Sequence, residues 1–234
     1  MIKGIYTAAR GLDARMKNLE IIANNLANLN TTGFKREIPF SEIINQLGNT
    51  QIQQLTDFKQ GDLVQTNNPL DAAISGKGFF VVQTESGTQL TRNGSFKISD
   101  EGYLADQQGD KVMGQKGFIK IDMLSFEKQK SITISKDGEV KFGNDVIDSL
   151  KIVKMDGQQD SERTSDVNFS ASGGYQLANQ NDYEIKQGYL EESNVNPIKE
   201  MENMIKVNNE YQSASKMINF LDKSLDEANQ IGKV

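Results

Sequence analysis

The chain has 234 residues, enough for one large domain or two modest ones with a real buried core. It is 36% hydrophobic and 25% charged, and it has no cysteine and no histidine. That excludes disulfides, thiolate zinc sites, cysteine nucleophiles and serine–histidine triads, while a net charge of −6 argues against a nucleic-acid binder.

From the N-terminus, Ile5, Leu12, Leu19 and Leu26 recur every seven residues. Ala8, Ile22 and Leu29 stand three residues after three of them, and Arg15 interrupts the second line. Ala9, Met16 and Ala23 fill the next column. This stripe, with no proline before Pro39, predicts a helix over 3–30. Asn30-Thr31-Thr32-Gly33 reads as its stop, with Gly33 free to take a positive φ. Charges run through the segment, so it is not a secretory signal, and no stretch of the chain has the 18 apolar residues of a membrane span.

The middle of the chain changes period. Ser131–Ile134 and Glu139–Phe142 alternate around a turn at Asp137-Gly138, which predicts a β-hairpin. Asn93-Gly94 predicts a second hairpin between Gln89–Thr91 and Ser95–Ile98. Phe79–Val82, Phe118–Ile121, Leu150–Val153 and Tyr183–Ile185 read as further strands, and 156–182 reads as a long polar surface loop. Together these predict an antiparallel sandwich or barrel over 61–190.

At the C-terminus, Met204, Tyr211, Ile218 and Leu225 are again seven apart, and Val207, Ala214, Leu221 and Ala228 lie three further on. Asn196-Pro197 reads as an N-cap followed by proline at the first helical position, and the helix is expected over 197–229. Residues 1–40 carry six basic and three acidic residues, whereas 191–234 carry five and eight. Opposite charge and matching stripes favour the two end helices pairing as a coiled coil. The expected architecture is α+β: long N- and C-terminal helices flanking a central antiparallel all-β domain. Its segments are a helix with its stop at 1–40, a linker at 41–60, the β domain at 61–190 and a helix at 191–234.

Chemical motifs are weak throughout. Gly76-Lys77-Gly78 lacks P-loop spacing and precedes an apolar strand, so it reads as a tight turn. Asp100, Asp106 and Asp110 lack EF-hand spacing and read as turn acids around Gly102 and Gly109. Glu191-Glu192 are adjacent, point in different directions, and read as a solvated junction rather than a catalytic pair. No catalytic residue, metal site or cofactor is expected. A competing function class is a wall- or carbohydrate-active β-domain enzyme with helical arms, which would need two carboxyls about 5–5.5 Å apart.

Three blocks carry a specific resemblance. Asn24-Asn25-Leu26-Ala27-Asn28 with Gly33-Phe34-Lys35, then Asn68-Pro69-Leu70-Asp71 running on to Gly76–Val82, then Gly188, Glu191, Ser193-Asn194-Val195-Asn196, stand in that order. They resemble the signatures of the bacterial flagellar axial proteins, the rod and hook family. The resemblance implies a structural rod subunit of the basal body, exported unfolded by the flagellar type III apparatus. It also implies that the subunits stack helically through their terminal helices in the periplasm, with other rod and hook proteins as partners. The assembly interface would be the stripes: Ile5, Leu12, Leu19, Ile22, Leu26 and Leu29 against Met204, Val207, Tyr211, Ala214, Ile218, Leu221 and Leu225. A single β domain is more similar to the FlgF and FlgG rod proteins than to the larger hook protein, and the lack of a distal-rod insertion favours the proximal FlgF type. Two departures stand out. Asn67-Asn68 occupies a place where the family commonly has Thr-Gly-Asn, and Asn208-Asn209-Glu210-Tyr211 lacks the usual Arg before the Tyr.

Overall fold

In α1 (Ile2–Ala27) the apolar residues return at helical spacing without proline, so one side stays apolar while the backbone closes its own hydrogen bonds. The helix stops three residues earlier than expected. Thr31 donates its N–H to the Asn28 carbonyl at 3.3 Å and its hydroxyl to Asn28 Oδ1 at 2.9 Å, and this polar turn ends the helix ahead of Gly33. The second helix, α2, spans Pro197–Ile231. Its first turn forms as the sequence predicts: Lys199 N–H donates to Asn196 Oδ1 at 3.1 Å, and Glu200 N–H donates to the Asn196 carbonyl at 3.0 Å.

The computed structural model describes residues 2–39, 55–121, 131–155, 161–171 and 174–231. The side chains of Ile5, Ala8, Leu225 and Ala228, and most of the expected linker, lie outside the described residues. Two units are present. The helical unit combines Met1–Ala27, Glu37–Asp57 and Val195–Val234. Within it α1 packs against α2, and β1 (Glu37–Ile38) pairs antiparallel with β2 (Leu55–Thr56). Asn25 holds β1 to the end of α1 through a two-way bond: its amide donates to the Glu37 carbonyl at 2.8 Å, and Glu37 N–H donates back to Asn25 Oδ1 at 2.9 Å.

The β-rich unit combines Asn28–Arg36 and Phe58–Asn194. In chain order its strands are β3 (Leu63–Gln65), β4 (Ala72–Gly76), β5 (Phe79–Thr84), β6 (Gly87–Thr91), β7 (Phe96–Ile98), β8 (Leu104–Asp106) and β9 (Lys111–Val112). There follow β10 (Ile132–Ile134), β11 (Glu139–Phe142), β12 (Asp145–Ser149), β13 (Ile152–Met155), β14 (Ser161–Arg163), β15 (Asn168–Ala171), β16 (Tyr175–Leu177), β17 (Tyr183–Gln187) and β18 (Tyr189–Glu191). The main sheet runs β14-β15-β6-β5-β9-β8-β7, and β13 joins it by pairing with both β5 and β16. A second sheet is β10-β11-β12, and β17-β4 and β18-β3 form two ribbons. Among the described residues every ladder of this unit is antiparallel.

The centre of this unit is β5. Its side chains alternate between two apolar clusters, so both faces are dry. Phe80 and Val82 join Ile74, Phe96, Leu104, Ile119, Val140, Leu150 and Ile185. Phe79 and Val81 join Leu90, Val153 and Phe169. Edge-to-face contacts fix the rings: Phe80 and Phe96 lie 5.1 Å apart, and Phe58 lies 5.1 Å from Phe169. Each such buried side chain stabilises the fold by roughly 1.5–3 kcal/mol.

The expected 131–142 hairpin forms, with Ile132 opposite Phe142 and Ile134 opposite Val140. The hairpin at Asn93-Gly94 does not form. β6 pairs with β5 and β15, and β7 pairs with β8. A two-residue hairpin turn of the favoured type needs positive φ at both central residues, and neither Asn93 nor Gly94 has it. Instead the Gly94 carbonyl accepts from Ala72 N–H at 3.0 Å, and a Cβ on Gly94 would lie 1.6 Å from the Ala72 oxygen. Gly94→Ala should therefore lower the denaturation midpoint by the equivalent of about 1–3 kcal/mol, measured in urea. Phe118–Ile121 makes only isolated bridges, through Phe118 to Met113 and Lys120 to Tyr103. The expected loop at 156–182 is also corrected where it is described. It contributes β14, β15 and β16, and Val167, Asn168 and Phe169 are buried. Residues 156–160 and 172–173 of it lie outside the described residues.

Gly76-Lys77-Gly78 is the turn between β4 and β5. Asp106 organises another turn, accepting from the backbone N–H groups of Gln108, Gly109 and Asp110 at 2.9–3.0 Å.

Candidate assembly helices and the signature junction

Along α1, Ile22 is fully buried and Leu12, Leu19 and Leu26 are half-buried; Leu29, just past the helix, is half-buried too. Along α2, Val207 is buried, and Met204, Tyr211, Ala214, Ile218 and Leu221 are half-buried. Every described residue of the seven-residue rows and of the rows three further on is at least partly covered, whereas Ala9, Met16 and Ala23 of the third α1 column are exposed. Arg15 interrupts the α1 stripe and reaches Glu210 of α2 at 3.7 Å. Both groups are partly exposed, so the pair contributes at most about 1 kcal/mol.

The β-rich unit gathers its own signature residues at two places. At the first, Asp71 Oδ2 accepts from the Thr66 hydroxyl at 2.6 Å and Oδ1 accepts from the Asn68 amide at 3.0 Å. The Asp71 carbonyl accepts from Gly188 N–H at 2.8 Å, and the Pro69 carbonyl from the Gln187 amide at 2.7 Å. Half-buried Leu70 packs on the large apolar cluster. Asn67, beside this corner, has φ 59°, and it is the one non-glycine residue in that region among the described residues. Asparagine tolerates the left-handed conformation better than most other non-glycine side chains, which suits it to this corner. Asn67→Gly should leave stability unchanged or slightly raised, and Asn67→Val should cost about 1–2 kcal/mol by urea denaturation.

At the second place the chain builds a buried charge cluster around Glu191. Lys35 Nζ donates to Glu191 Oε1 and, at 2.7 Å, to the Lys59 carbonyl. Gly61 N–H donates to the same carboxylate oxygen at 2.9 Å. Arg92 Nη1 donates to Glu191 Oε2 at 3.1 Å, and its Nη2 donates to the Gly76 carbonyl at 2.9 Å. The three side chains are almost wholly buried. Desolvation pulls the Arg92 pKa below its ordinary value, and the adjacent Glu191 carboxylate opposes that shift. The expected solvated junction is therefore wrong for Glu191, though right for exposed Glu192. β18 places successive side chains on opposite faces, so one glutamate turns inward and its neighbour outward.

Further signature residues of the same unit close around this cluster. Gly33 N–H donates to the Glu191 carbonyl at 2.7 Å. Gly33 has φ 73°, and a Cβ there would lie 2.3 Å from the Asn93 nitrogen, so the close approach requires glycine. Arg36 N–H donates to Asn194 Oδ1 at 2.7 Å, while the Asn194 amide donates to the Lys59 carbonyl at 3.0 Å. Phe34 is fully buried beneath the Arg163 guanidinium, 4.6 Å from its ring centre. Of the remaining signature positions, Val195 and Asn28 are buried, Asn24 and Ser193 are half-buried, and Ala27 is exposed. Arg92 and Arg163 are structural anchors that the sequence did not single out. Each is a lone arginine in a polar stretch, with no local pattern that marks its role.

Three family models match in the order of these blocks. The flagella basal body rod protein model matches residues 5–35, the flagellar hook protein FlgE/F/G D1 domain matches 73–142, and the flagellar basal body rod FlgEFG protein C-terminal model matches 186–231. The flagellar basal-body rod protein FlgF of Caulobacter vibrioides is 31% identical, covering 96% of this chain and 97% of that protein. The chain belongs to the flagellar basal-body rod and hook family. The rod protein FlgG of Buchnera aphidicola is 32% identical over 97% of this chain and 98% of that protein. FlgG of Borreliella burgdorferi is 32% identical over 99% of each. This member of the family is a rod protein of the FlgF/FlgG type, a structural component of the flagellar basal body and not an enzyme. Among the described residues, no helix is long and apolar enough to cross a membrane.

Proposed function

We propose that this chain is a subunit of the proximal rod, exported by the flagellar type III apparatus and polymerising helically in the periplasm through a coiled coil of α1 and α2. The observation that carries this is the incomplete coverage of the two helices. The described stripe residues within α1 and α2 are at least half-buried, yet Tyr6 and Met16 on α1 and Ile198, Met201, Ile205, Met217 and Phe220 on α2 stay exposed. Large exposed apolar surface on otherwise polar helices marks an interaction face. The assembly interface is the set of stripe residues, from Ile5 to Leu29 and from Met204 to Leu225.

The FlgF assignment has its own support. This 234-residue chain aligns with the FlgF proteins over 237–243 positions, and with the FlgG proteins over 259–278. Alignment to FlgG therefore opens longer gaps. Partners are other copies of the chain and other rod and hook proteins. Chemical cross-linking in intact basal bodies, read by mass spectrometry, tests the whole proposal. Cross-links from α1 and α2 to other rod subunits are expected. Fractionation of the chain away from basal bodies, or with the hook alone, would overturn it.

A further inference from the structure

The helices of one copy are antiparallel. Asn25, near the end of α1, bonds Glu37; the adjoining Arg36 bonds Asn194, three residues before α2 begins. The end of α1 therefore lies beside the start of α2, and the two pack together from there. At roughly 100° per residue, Ile198, Met201, Ile205 and Phe220 fall on the side of α2 opposite Val207, Ala214, Ile218 and Leu221. Ile198 is 74%, Ile205 64% and Phe220 70% exposed, so the pairing with α1 leaves this outer strip uncovered. Exposed Lys216 and Lys223 stand on the same side. On α1, about a quarter-turn round from the stripe, lie exposed Ala9, Met16, Ala23 and Ala27, flanked by exposed Asp13 and Glu20.

These two surfaces fit one another. One carries Lys216 and Lys223 around Phe220; the other carries Asp13 and Glu20 around Met16, with Asp13 also 3.5 Å from Lys17 on its own helix. Lys216 and Lys223 are seven residues apart, as are Asp13 and Glu20, a spacing of roughly 10.5 Å on each helix. With the helices antiparallel, Lys216 faces Glu20, Lys223 faces Asp13, and Phe220 falls at Met16. The direction matters. Because α1 and α2 are antiparallel within a copy, an antiparallel contact between copies leaves both copies pointing the same way. The two patches differ, so the contact is heterologous, and repeating it gives an open-ended polar array.

We infer that the outer strip of α2, from Lys216 through Phe220 to Lys223, docks on the Asp13–Met16–Glu20 flank of α1 in a second copy of this chain. This rests on the rod-subunit assignment above and adds to it the faces that meet.

The test uses the full chain, in which engineered cysteines are the only thiols because the natural sequence has none. Cells carry Met16→Cys with Phe220→Cys, or either change alone, and basal bodies are oxidised before denaturing electrophoresis. The double variant should give a ladder of disulfide-linked dimers and larger species, and each single variant should run as monomer. Linked dimers from a single variant would mean a two-fold contact and overturn the inference. So would absence of a ladder when the double variant is recovered in basal bodies at the wild-type level. As a second measurement, Lys216→Glu with Lys223→Glu should reduce recovery in basal bodies, and adding Asp13→Lys with Glu20→Lys should restore it. Failure of that rescue also counts against the register. If the unmodified chain is absent from basal bodies, the rod-subunit assignment itself falls, and the docking with it.

Discussion

Replacing Glu191 with leucine should destabilise the β-rich unit by about 3–5 kcal/mol, because it strands Lys35 and Arg92 in a dry site with no anion. Glu191→Gln should fall between leucine and wild type. The amide oxygen can still accept from Gly61 N–H, which donates to Glu191 Oε1 at 2.9 Å, but the charge balance is gone. Glu192→Gln, one residue along on an exposed position, should stay within about 0.5 kcal/mol. Urea denaturation followed by near-ultraviolet circular dichroism measures all three. A second expectation separates charge from packing. Replacing Glu191, Lys35 and Arg92 together by apolar residues of similar volume should recover much of the loss, since a buried ionic cluster is costly to break and far less costly to replace whole. If Glu191→Leu alone proves neutral, the cluster does not hold the signature segment in place.

That cluster shows where the sequence stops being legible. The helices announce themselves because their apolar residues repeat within one or two turns, and the Asn196-Pro197 cap lies in two adjacent letters. The 131–142 hairpin is local for the same reason. Glu191 meets Lys35 across 156 residues and Arg92 across 99, and no local period encodes a meeting at that separation. The signature identified Lys35 and Glu191 by resemblance, while Arg92 carried no such mark. Alternation along β18 turns one of the two glutamates inward, but the sequence pattern predicts no strand at 189–191, so the pair reads as solvated. Asn93-Gly94 misled in the other direction. The dipeptide is a strong hairpin signal, yet here it lets Gly94 press against the Ala72 backbone, and long-range pairing of β6 with β15 overrides it. The segment around Phe169 failed because polar letters surround it. The strand is short, and its one fully buried large side chain packs on Phe58 and Phe79, which come from far upstream. The outer strip of α2 was present as Ile198, Met201 and Ile205, but one helix with apolar residues on two sides has no single stripe to notice.

Ile22→Asp and Ile218→Asp should fail in different ways, and the difference separates folding of the helical unit from assembly. Ile22 is fully buried within a single copy, so an aspartate there is an unpaired carboxylate in a dry contact and should cost several kcal/mol. The free protein should lose helical circular dichroism, because isolated helices are marginal in water without a packed face. Ile218 keeps partial exposure in a single copy, so an aspartate there can stay hydrated and the free helices should largely persist. In a polymer whose neighbours cover that line of α2, the same carboxylate is buried in every copy, and motility and recovery of basal bodies should be lost. Neither residue belongs to the two apolar clusters of the β-rich unit, so its calorimetric transition should hardly move. Lys206→Ala, at an exposed position, should leave every readout unchanged. If Ile218→Asp cells swim normally, that side of α2 is not covered in the rod, and assembly must rest on the outer strip alone. If both variants shift the transition of the β-rich unit, the helices stabilise that unit directly, and the separation between folding and assembly is wrong.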